Sequence, residues 1–109
     1  MLPKKNRADT RAVEEVFKVG KFLNSPNLTF KFVKTNSSNK QISFIAPKSV
    51  AKSAVARNRL RRRGYTALGK YLDEFPTGIT GVFIYKKPIE QALEVENEIK
   101  IILIILAKL

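Results

Sequence analysis

The residues of this chain that are best suited to chemistry are cations, and they cluster between positions 48 and 63. This run contains no Asp or Glu, and its seven cations are Lys48, Lys52, Arg57, Arg59, Arg61, Arg62 and Arg63. An Arg guanidinium grips two phosphate oxygens at once and also stacks on bases, and the Asn58 amide can donate to a phosphate or accept from a ribose 2′-hydroxyl. The run therefore predicts a surface that binds structured RNA.

The distribution of charge along the chain also favours a polyanionic partner. The formal net charge is +12, and none of the nine acidic residues lies between Val16 and Leu72, a stretch that carries 13 cations. Surfaces that face only solvent interleave both signs, and a charge this large repels itself unless an anion binds. A solvated cationic helix and a basic membrane-surface helix are the competing interpretations. The membrane interpretation is disfavoured because the apolar stripe beneath the arginines is needed for the core.

The residue types present argue against catalysis by the chain itself. It contains neither Cys nor His, which excludes zinc fingers, thiol nucleophiles, disulfides and imidazole bases. We expect no catalytic residue, no metal site and no cofactor bound by the protein alone. The N-terminus has no apolar signal core, and the longest apolar run, residues 101–107, is far shorter than the roughly 20 residues of a membrane span. A cytoplasmic location is therefore expected.

The elements that position the cations follow from the apolar spacing. A length of 109 residues with 44% apolar composition predicts one domain. Residues 1–10 are expected to form a mobile basic arm that carries Lys4, Lys5 and Arg7, and residues 11–109 a single RNA-binding domain. Periodicity predicts an α+β fold in the order α-β-β-α-β-α, with helices over residues 11–19, about 50–72 and 90–109 and strands over residues 28–33, 41–46 and 79–85.

The same spacing makes predictions about packing. The strand at 28–33 alternates with a period of two, so Leu28, Phe30 and Phe32 are expected to face the core. The strands at 28–33 and 41–46 are expected to pair as an antiparallel hairpin. The strand at 79–85 is expected to be central in a small mixed sheet, because its apolar residues fall at both parities. Phe17 is a candidate stacking platform for an unpaired base, since it closes the first helix near two lysines. The phenylalanines expected to lie mostly in the core are Phe22, Phe30, Phe32 and Phe44.

Three segments at their observed separations resemble the protein component of bacterial ribonuclease P. They are residues 2–7, Leu-Pro-Lys-Lys-Asn-Arg; residues 16–21, Val-Phe-Lys-Val-Gly-Lys; and residues 48–62, which end in Arg-Asn-Arg-Leu-Arg-Arg. The resemblance covers nearly the whole chain. It implies a ribosomal-protein-S5-like fold, a small mixed sheet with packed helices and a left-handed βαβ crossover that general topology rules disfavour.

The resemblance also implies a function and its partners. The partner RNA is expected to be the catalyst and to hold Mg²⁺, while the protein assists removal of the 5′ leader from precursor tRNA as an accessory subunit. Neither a membrane nor DNA is an expected partner. The implied contacts to the catalytic RNA are Lys52, Arg57, Asn58, Arg59, Arg61, Arg62 and Arg63. The implied leader-binding cleft holds Phe17, Lys21, Lys31 and Lys48, and the N-terminal arm adds Lys4, Lys5 and Arg7.

The chain departs from the family pattern near both implied sites. Val13 stands where the family usually has Phe, which removes one aromatic side chain from the implied cleft. Pro47 and Ser49 flank Lys48 where a Ser-Lys-Lys run is usual, and Tyr65 follows Gly64 where the family often has Arg.

Two other functions are compatible with the composition. The first is a non-catalytic basic RNA-binding module, ribosomal or chaperone-like, that binds many RNAs with similar affinity. The second is a self-sufficient nuclease, which needs general acid-base groups or a metal cluster. Asp73 and Glu74 are the acidic pair nearest the basic region, and their position favours a helix end instead.

Overall fold

The computed structural model describes residues 6–36 and 38–109, which form three α-helices and a four-stranded sheet. In chain order the elements are α1 (Thr10–Val19), β1 (Lys21–Asn24), β2 (Leu28–Lys34), β3 (Gln41–Ile45), α2 (Ala54–Gly69), a 3₁₀ turn (Leu72–Glu74), β4 (Ile79–Tyr85) and α3 (Ala92–Ala107). The predicted α+β class is confirmed. The structure adds β1, a four-residue strand whose exposed side chains carry no alternating apolar signal.

Side-chain caps explain where the first two helices begin. The Asp9 carboxylate accepts a hydrogen bond from the Ala12 amide at 2.8 Å, and the Ser53 hydroxyl accepts one from the Ala56 amide at 3.0 Å. Such caps satisfy backbone donors that the first helical turn leaves unpaired. The start predicted for α2, at residue 50 or 52, is therefore too early. Residues 47–51 instead form a turn in which the amides of residues 50 and 51 donate to the carbonyl of Pro47.

The sheet has the strand order β1-β2-β4-β3. Strand β2 is antiparallel to both β1 and β4, whereas β3 is parallel to β4. The predicted hairpin between β2 and β3 is therefore wrong, because β4 lies between them. The prediction that β4 is central is confirmed. Since β3 and β4 run in the same direction, the chain needs a long connection between them, and α2 provides it.

The main core lies between the sheet and the helices α2 and α3. The predicted inward residues of β2, Leu28, Phe30 and Phe32, are buried there, as are Ile79, Phe83 and Tyr85 of β4 and Val95, Ile99 and Ile102 of α3. The opposite face of the sheet is covered by α1, where Val16 and Val82 are fully buried. Burial on both faces accounts for the apolar residues at both parities of β4.

Two contacts hold α2 close to the sheet. Gly64 faces the ring of Phe44 on β3, and a Cβ atom at Gly64 would lie 2.5 Å from a ring carbon. The Tyr85 hydroxyl donates a hydrogen bond to the Leu60 carbonyl at 2.8 Å. Desolvation by burial raises the pKa of Tyr85, so this hydroxyl keeps its proton and remains a donor. Together these contacts determine which side of α2 is left outside.

A buried carboxylate ties the turn between β1 and β2 to α3. Glu98 is 6% exposed, and it accepts hydrogen bonds from the Ser25 hydroxyl at 2.5 Å, the Asn27 amide at 2.7 Å and the Asn27 side chain at 2.8 Å. Buried charges are costly unless donors surround them. These three donors stabilise the carboxylate and set the start of β2.

In the described residues, no helix has both the length and the apolar character needed to cross a bilayer.

The close approach at Gly64 leads to a stability prediction. We expect Gly64→Ala to lower the free energy of unfolding by about 1–3 kcal/mol, because the added methyl displaces a buried aromatic ring. Gly69→Ala is the matched control, because nothing lies within 4 Å of the position that its methyl group would occupy and Ala favours helix by up to about 1 kcal/mol. Urea denaturation measures both variants. Equal midpoints for the two variants would contradict the proposed packing.

Candidate nucleic-acid interface

The strand register shows which residues share the sheet face that carries α1, here called the α1 face. One row across this face, read from strand pairing, is Phe22, Lys31, Val82 and Ser43. The next row is Asn24, Thr29, Ile84 and Ile45. Paired residues project from the same side of a sheet. The Ser43 hydroxyl donates to the carbonyl of Ala8, just before α1, at 2.9 Å, which places α1 on this side.

Helix α1 covers only part of this face, and the strip left uncovered on the side of Phe17 is here called the cleft. Its floor consists of Thr29, Lys31, Ile45 and Ile84, all of them half-buried. One wall is α1, which presents Val13 and Phe17 four residues apart. Phe17 is 45% exposed, and the Lys31 ammonium lies 4.9 Å from the centre of its ring. The structure thus brings together two of the four residues predicted for the cleft, as a cation–π pair.

One other predicted cleft residue lies elsewhere, and an unpredicted residue joins the cleft. Lys21 pairs with Phe32, so its side chain has the parity of the α3 side of the sheet. Lys48 is exposed in the turn that follows β3. Phe22 is 62% exposed, so the expectation that it lies in the core is wrong. It sits on the edge strand β1, directly across from Lys31. The sequence contains little indication that Phe22 is exposed, because the four residues of β1 show no alternating apolar pattern.

A second depression, the arginine groove, lies between α2, β3 and the start of α1, with a volume of about 760 Å³. Asn58, Arg61, Arg62 and Tyr65 line it from α2, because residues at this helical spacing share one face. Further lining residues are Arg7, Ala8, Asp9, Thr10, Val13, Ser43, Phe44 and Ile45. Val13 and Ile45 also border the cleft. The arginine groove and the cleft are therefore neighbouring parts of one surface.

The cations of α2 divide into two groups by what they contact. The Arg57 guanidinium donates to the carbonyls of Ala51 at 3.0 Å and Lys52 at 2.8 Å, and that of Arg63 donates to the carbonyl of Ile89. Both side chains are half-buried. They hold neighbouring loops against α2, so part of their hydrogen-bonding capacity is used within the protein. Arg57 and Arg63 thus differ from the other predicted RNA contacts on α2 in having backbone partners outside the helix.

The remaining cations are available to a partner. Arg61 donates to the side-chain oxygen of Asn58. Arg59 and Arg62 are exposed, and neither guanidinium bonds to another group in residues 6–36 or 38–109. The one ion pair within these residues joins Lys70 to Glu96 at 3.2 Å. Within the described part of the chain, the cations of this surface therefore form no ion pair with an acidic side chain.

The described part of the predicted N-terminal arm is packed against the domain. The Asn6 amide donates to the Lys40 carbonyl at 2.9 Å and to the side chain of Asn39 at 3.2 Å. The Arg7 guanidinium lies 5.1 Å from the ring centre of Tyr65, and its Nε atom is buried with no partner among the described residues. Arg7 thus forms part of the wall of the arginine groove. Lys4 and Lys5 lie outside the described residues.

This arrangement suits an extended anion better than a small molecule. The arginine groove is wide and open, and its exposed cations can contact successive phosphates. In the cleft, an exposed ring beside an ammonium can stack on a base while the cation lies near a phosphate. The surface can bind and orient a nucleic acid.

The division among the arginines predicts different effects on stability. Arg57→Ala should lower the free energy of unfolding by about 1–2 kcal/mol, because two backbone carbonyls lose a charged donor. Arg59→Ala should change it by less than about 0.5 kcal/mol, since that side chain is exposed and unbonded. Chemical denaturation of the two variants beside the parent protein is the measurement. An unchanged midpoint for Arg57→Ala would show that its two hydrogen bonds contribute nothing to folding.

Comparison with solved structures shows a shared fold. The RNase P protein from Thermotoga maritima matches with a TM-score of 0.78 and 20% sequence identity, over 89% of this chain and 94% of that chain. The RNase P protein of Staphylococcus aureus matches with a TM-score of 0.77 and 13% identity, over 94% of this chain and 95% of that chain. At such identities the likeness shows the fold alone.

The family comparison goes further than the structural one. No curated protein matches the chain significantly. A family model described as Ribonuclease P, however, matches residues 2–105. That match contains every element of the fold except the last two residues of α3. Because it extends over nearly the whole sequence, this chain belongs to the ribonuclease P protein family.

Proposed function

We propose that this chain is the protein subunit of ribonuclease P, which binds the catalytic RNA through the exposed face of α2 and the 5′ leader of precursor tRNA in the cleft. The observation that carries the proposal is the adjacency of the arginine groove and the cleft. Val13 and Ile45 border both, so one bound RNA can contact the free arginines while a single strand passes over Phe17 and Lys31. Family membership supports an RNA partner in the same ribonucleoprotein.

The proposed division of labour matches the chemistry of the two regions. Phosphate contacts supply affinity and position without reading sequence, which suits Arg59, Arg62 and the Arg61–Asn58 pair. Stacking on an aromatic ring tolerates any base, which suits Phe17 as a contact for leaders of varied sequence. A subunit that holds precursor tRNAs of many sequences needs both properties.

The groups around the arginine groove do not suit a metal cation. Its described lining includes one carboxylate, Asp9, which caps α1. Mg²⁺ prefers carboxylate and phosphate oxygens in octahedral geometry, and the neighbouring guanidinium groups repel it. We therefore assign Mg²⁺ to the partner RNA, with hydrolysis of the leader phosphodiester performed there. The protein contributes binding and orientation.

The test of this function is cleavage of a precursor tRNA with a 5′ leader by the cognate catalytic RNA at low magnesium, with and without the protein. We expect strong stimulation and no cutting by the protein alone, because its cations replace magnesium in screening the phosphate repulsion between the two RNAs. The Arg59→Ala/Arg62→Ala double variant should stimulate much less. Lys108→Ala is its control, since it removes an exposed cation at the far end of α3.

Each of the other possible outcomes favours a different function for this protein. RNA binding without stimulation of cleavage would favour a general basic RNA-binding module. Cutting by the protein alone would favour a nuclease and would direct attention to Asp73 and Glu74. Those two residues lie exposed on the 3₁₀ turn after α2.

The salt dependence of binding tests the two groups of arginines. Arg62→Ala should weaken binding to the catalytic RNA and reduce the slope of log K against log salt by about 1, the effect of losing one phosphate contact. Arg63→Ala should change that slope less, because its guanidinium already binds the Ile89 carbonyl. Titrations at several salt concentrations give both slopes. Equal loss of slope in the two variants would show that the intramolecular bond of Arg63 opens on binding.

A further inference from the structure

An aromatic ring on the edge of the sheet is largely exposed to solvent. Phe22 is 62% exposed and lies on β1, the outermost strand beside β2. Its neighbour along the strand, Leu23, has the opposite parity and packs against the core. Strand β1 is thus held in place by Leu23 and by the turn that Glu98 binds, and Phe22 is left to face outward.

The residues near Phe22 are of the types that bind nucleotides, a cation and a second aromatic ring. Lys31 stands directly across the strand pair, where Cβ atoms lie about 5 Å apart. The ammonium of Lys31 is also the one that contacts the ring of Phe17. Lys31 therefore lies between the Phe17 ring on α1 and Phe22 on the edge strand β1.

A second cation lies further along the same edge. Asn24 follows Phe22 on the same side of β1, and its side-chain oxygen accepts hydrogen bonds from the Thr29 hydroxyl at 2.8 Å and the Lys86 ammonium at 3.4 Å. Lys86 is otherwise exposed just beyond β4. In the four strands, all of which the structure describes, the residues on the α1 face include no Asp or Glu. This part of the sheet edge therefore combines an aromatic ring, two ammonium groups and neutral polar donors.

We infer that Phe22, Lys31 and Lys86 form a further subsite for single-stranded RNA, in which a base stacks on Phe22 and the flanking phosphates lie against the two lysines. The inference rests on the proposed function, since it extends the path of the leader from Phe17 across the floor of the cleft to the sheet edge. Stacking is tolerant of sequence, so the subsite selects an unpaired strand and not a particular base. A double helix cannot use it, because its bases are already stacked.

A fluorescence experiment tests the subsite directly. The chain contains no Trp, so Phe22→Trp introduces a single reporter at the proposed stacking position. Val19→Trp is the control, because Val19 is 68% exposed but lines a different depression with Lys21 and Leu109. On titration with a single-stranded oligouridylate of about ten nucleotides, a length that single-strand sites span, emission from Phe22→Trp should be quenched and that from Val19→Trp should not. Binding without quenching in Phe22→Trp would overturn the inference.

Affinity for tRNA tests whether the leader uses the subsite. In the complex of this protein with its cognate catalytic RNA, Phe22→Ala should lower the affinity for a precursor with a long leader by about fivefold or more, the effect of one lost stacking contact. Binding of mature tRNA should not change. Leu93→Ala, which truncates a 61% exposed side chain on α3, should affect neither. Equal weakening of precursor and mature tRNA would refute a leader contact at Phe22.

The two experiments separate this inference from the proposed function. Stimulated cleavage with an unquenched Phe22→Trp variant overturns the subsite and leaves the ribonuclease P role intact. Quenching without stimulated cleavage supports a single-strand site at the sheet edge while the leader assignment fails.

Discussion

Strand β4 pairs with β2 on one side and with β3 on the other, and helices cover both of its faces. Its inner side packs Ile79, Phe83 and Tyr85 against α2 and α3, and its outer side packs Val82 beneath α1. Because β3 must run parallel to β4, α2 has to cross over the sheet between them. The helix that carries the arginines is therefore placed by the burial of one strand.

The close contact of α2 with the sheet determines which cations are presented. Gly64 lets the helix approach Phe44, and the Tyr85 hydroxyl binds the Leu60 carbonyl. With that side buried, Asn58, Arg61 and Arg62 can only face the arginine groove. Arg57 and Arg63 are directed at the ends of neighbouring loops, where backbone carbonyl oxygens accept hydrogen bonds from their guanidinium groups. These bonds offset part of the repulsion among like charges on one helix, and they leave Arg59 and Arg62 free for phosphate.

The cleft depends on a second set of contacts, at the opposite edge of the sheet. The Glu98 carboxylate binds Ser25 and Asn27 and so joins α3 to the turn between β1 and β2. That turn sets the pairing of Phe22 with Lys31. A buried acid on one side of the sheet thereby helps to position an aromatic residue and a cation on the other. Val13 adds no ring to the cleft wall, so the exposed aromatic surface lies at Phe17 and Phe22.

Signals contained within single segments are sufficient to locate most elements of this fold. The spacing of apolar residues located three helices and three strands, the parity of β2 identified Leu28, Phe30 and Phe32 as core, and both parities of β4 identified it as central. The absence of acids between Val16 and Leu72 identified the basic surface, and Phe17 was singled out by its position at the end of α1. Each of these signals is contained within one segment, so the residues alone carry it.

The relations between segments depend on the packing of the whole chain. The β2–β3 hairpin was a reasonable local prediction, but the choice of strand partner depends on where the whole of β4 can be buried. Strand β1 is too short and too exposed to show a period, so Phe22 could be placed only once β1 had paired with β2. The roles of Arg57 and Arg63 depended on which carbonyls their helix approaches. Periodicity reports which side of a segment is buried, whereas partners are chosen by packing between residues that are distant in sequence.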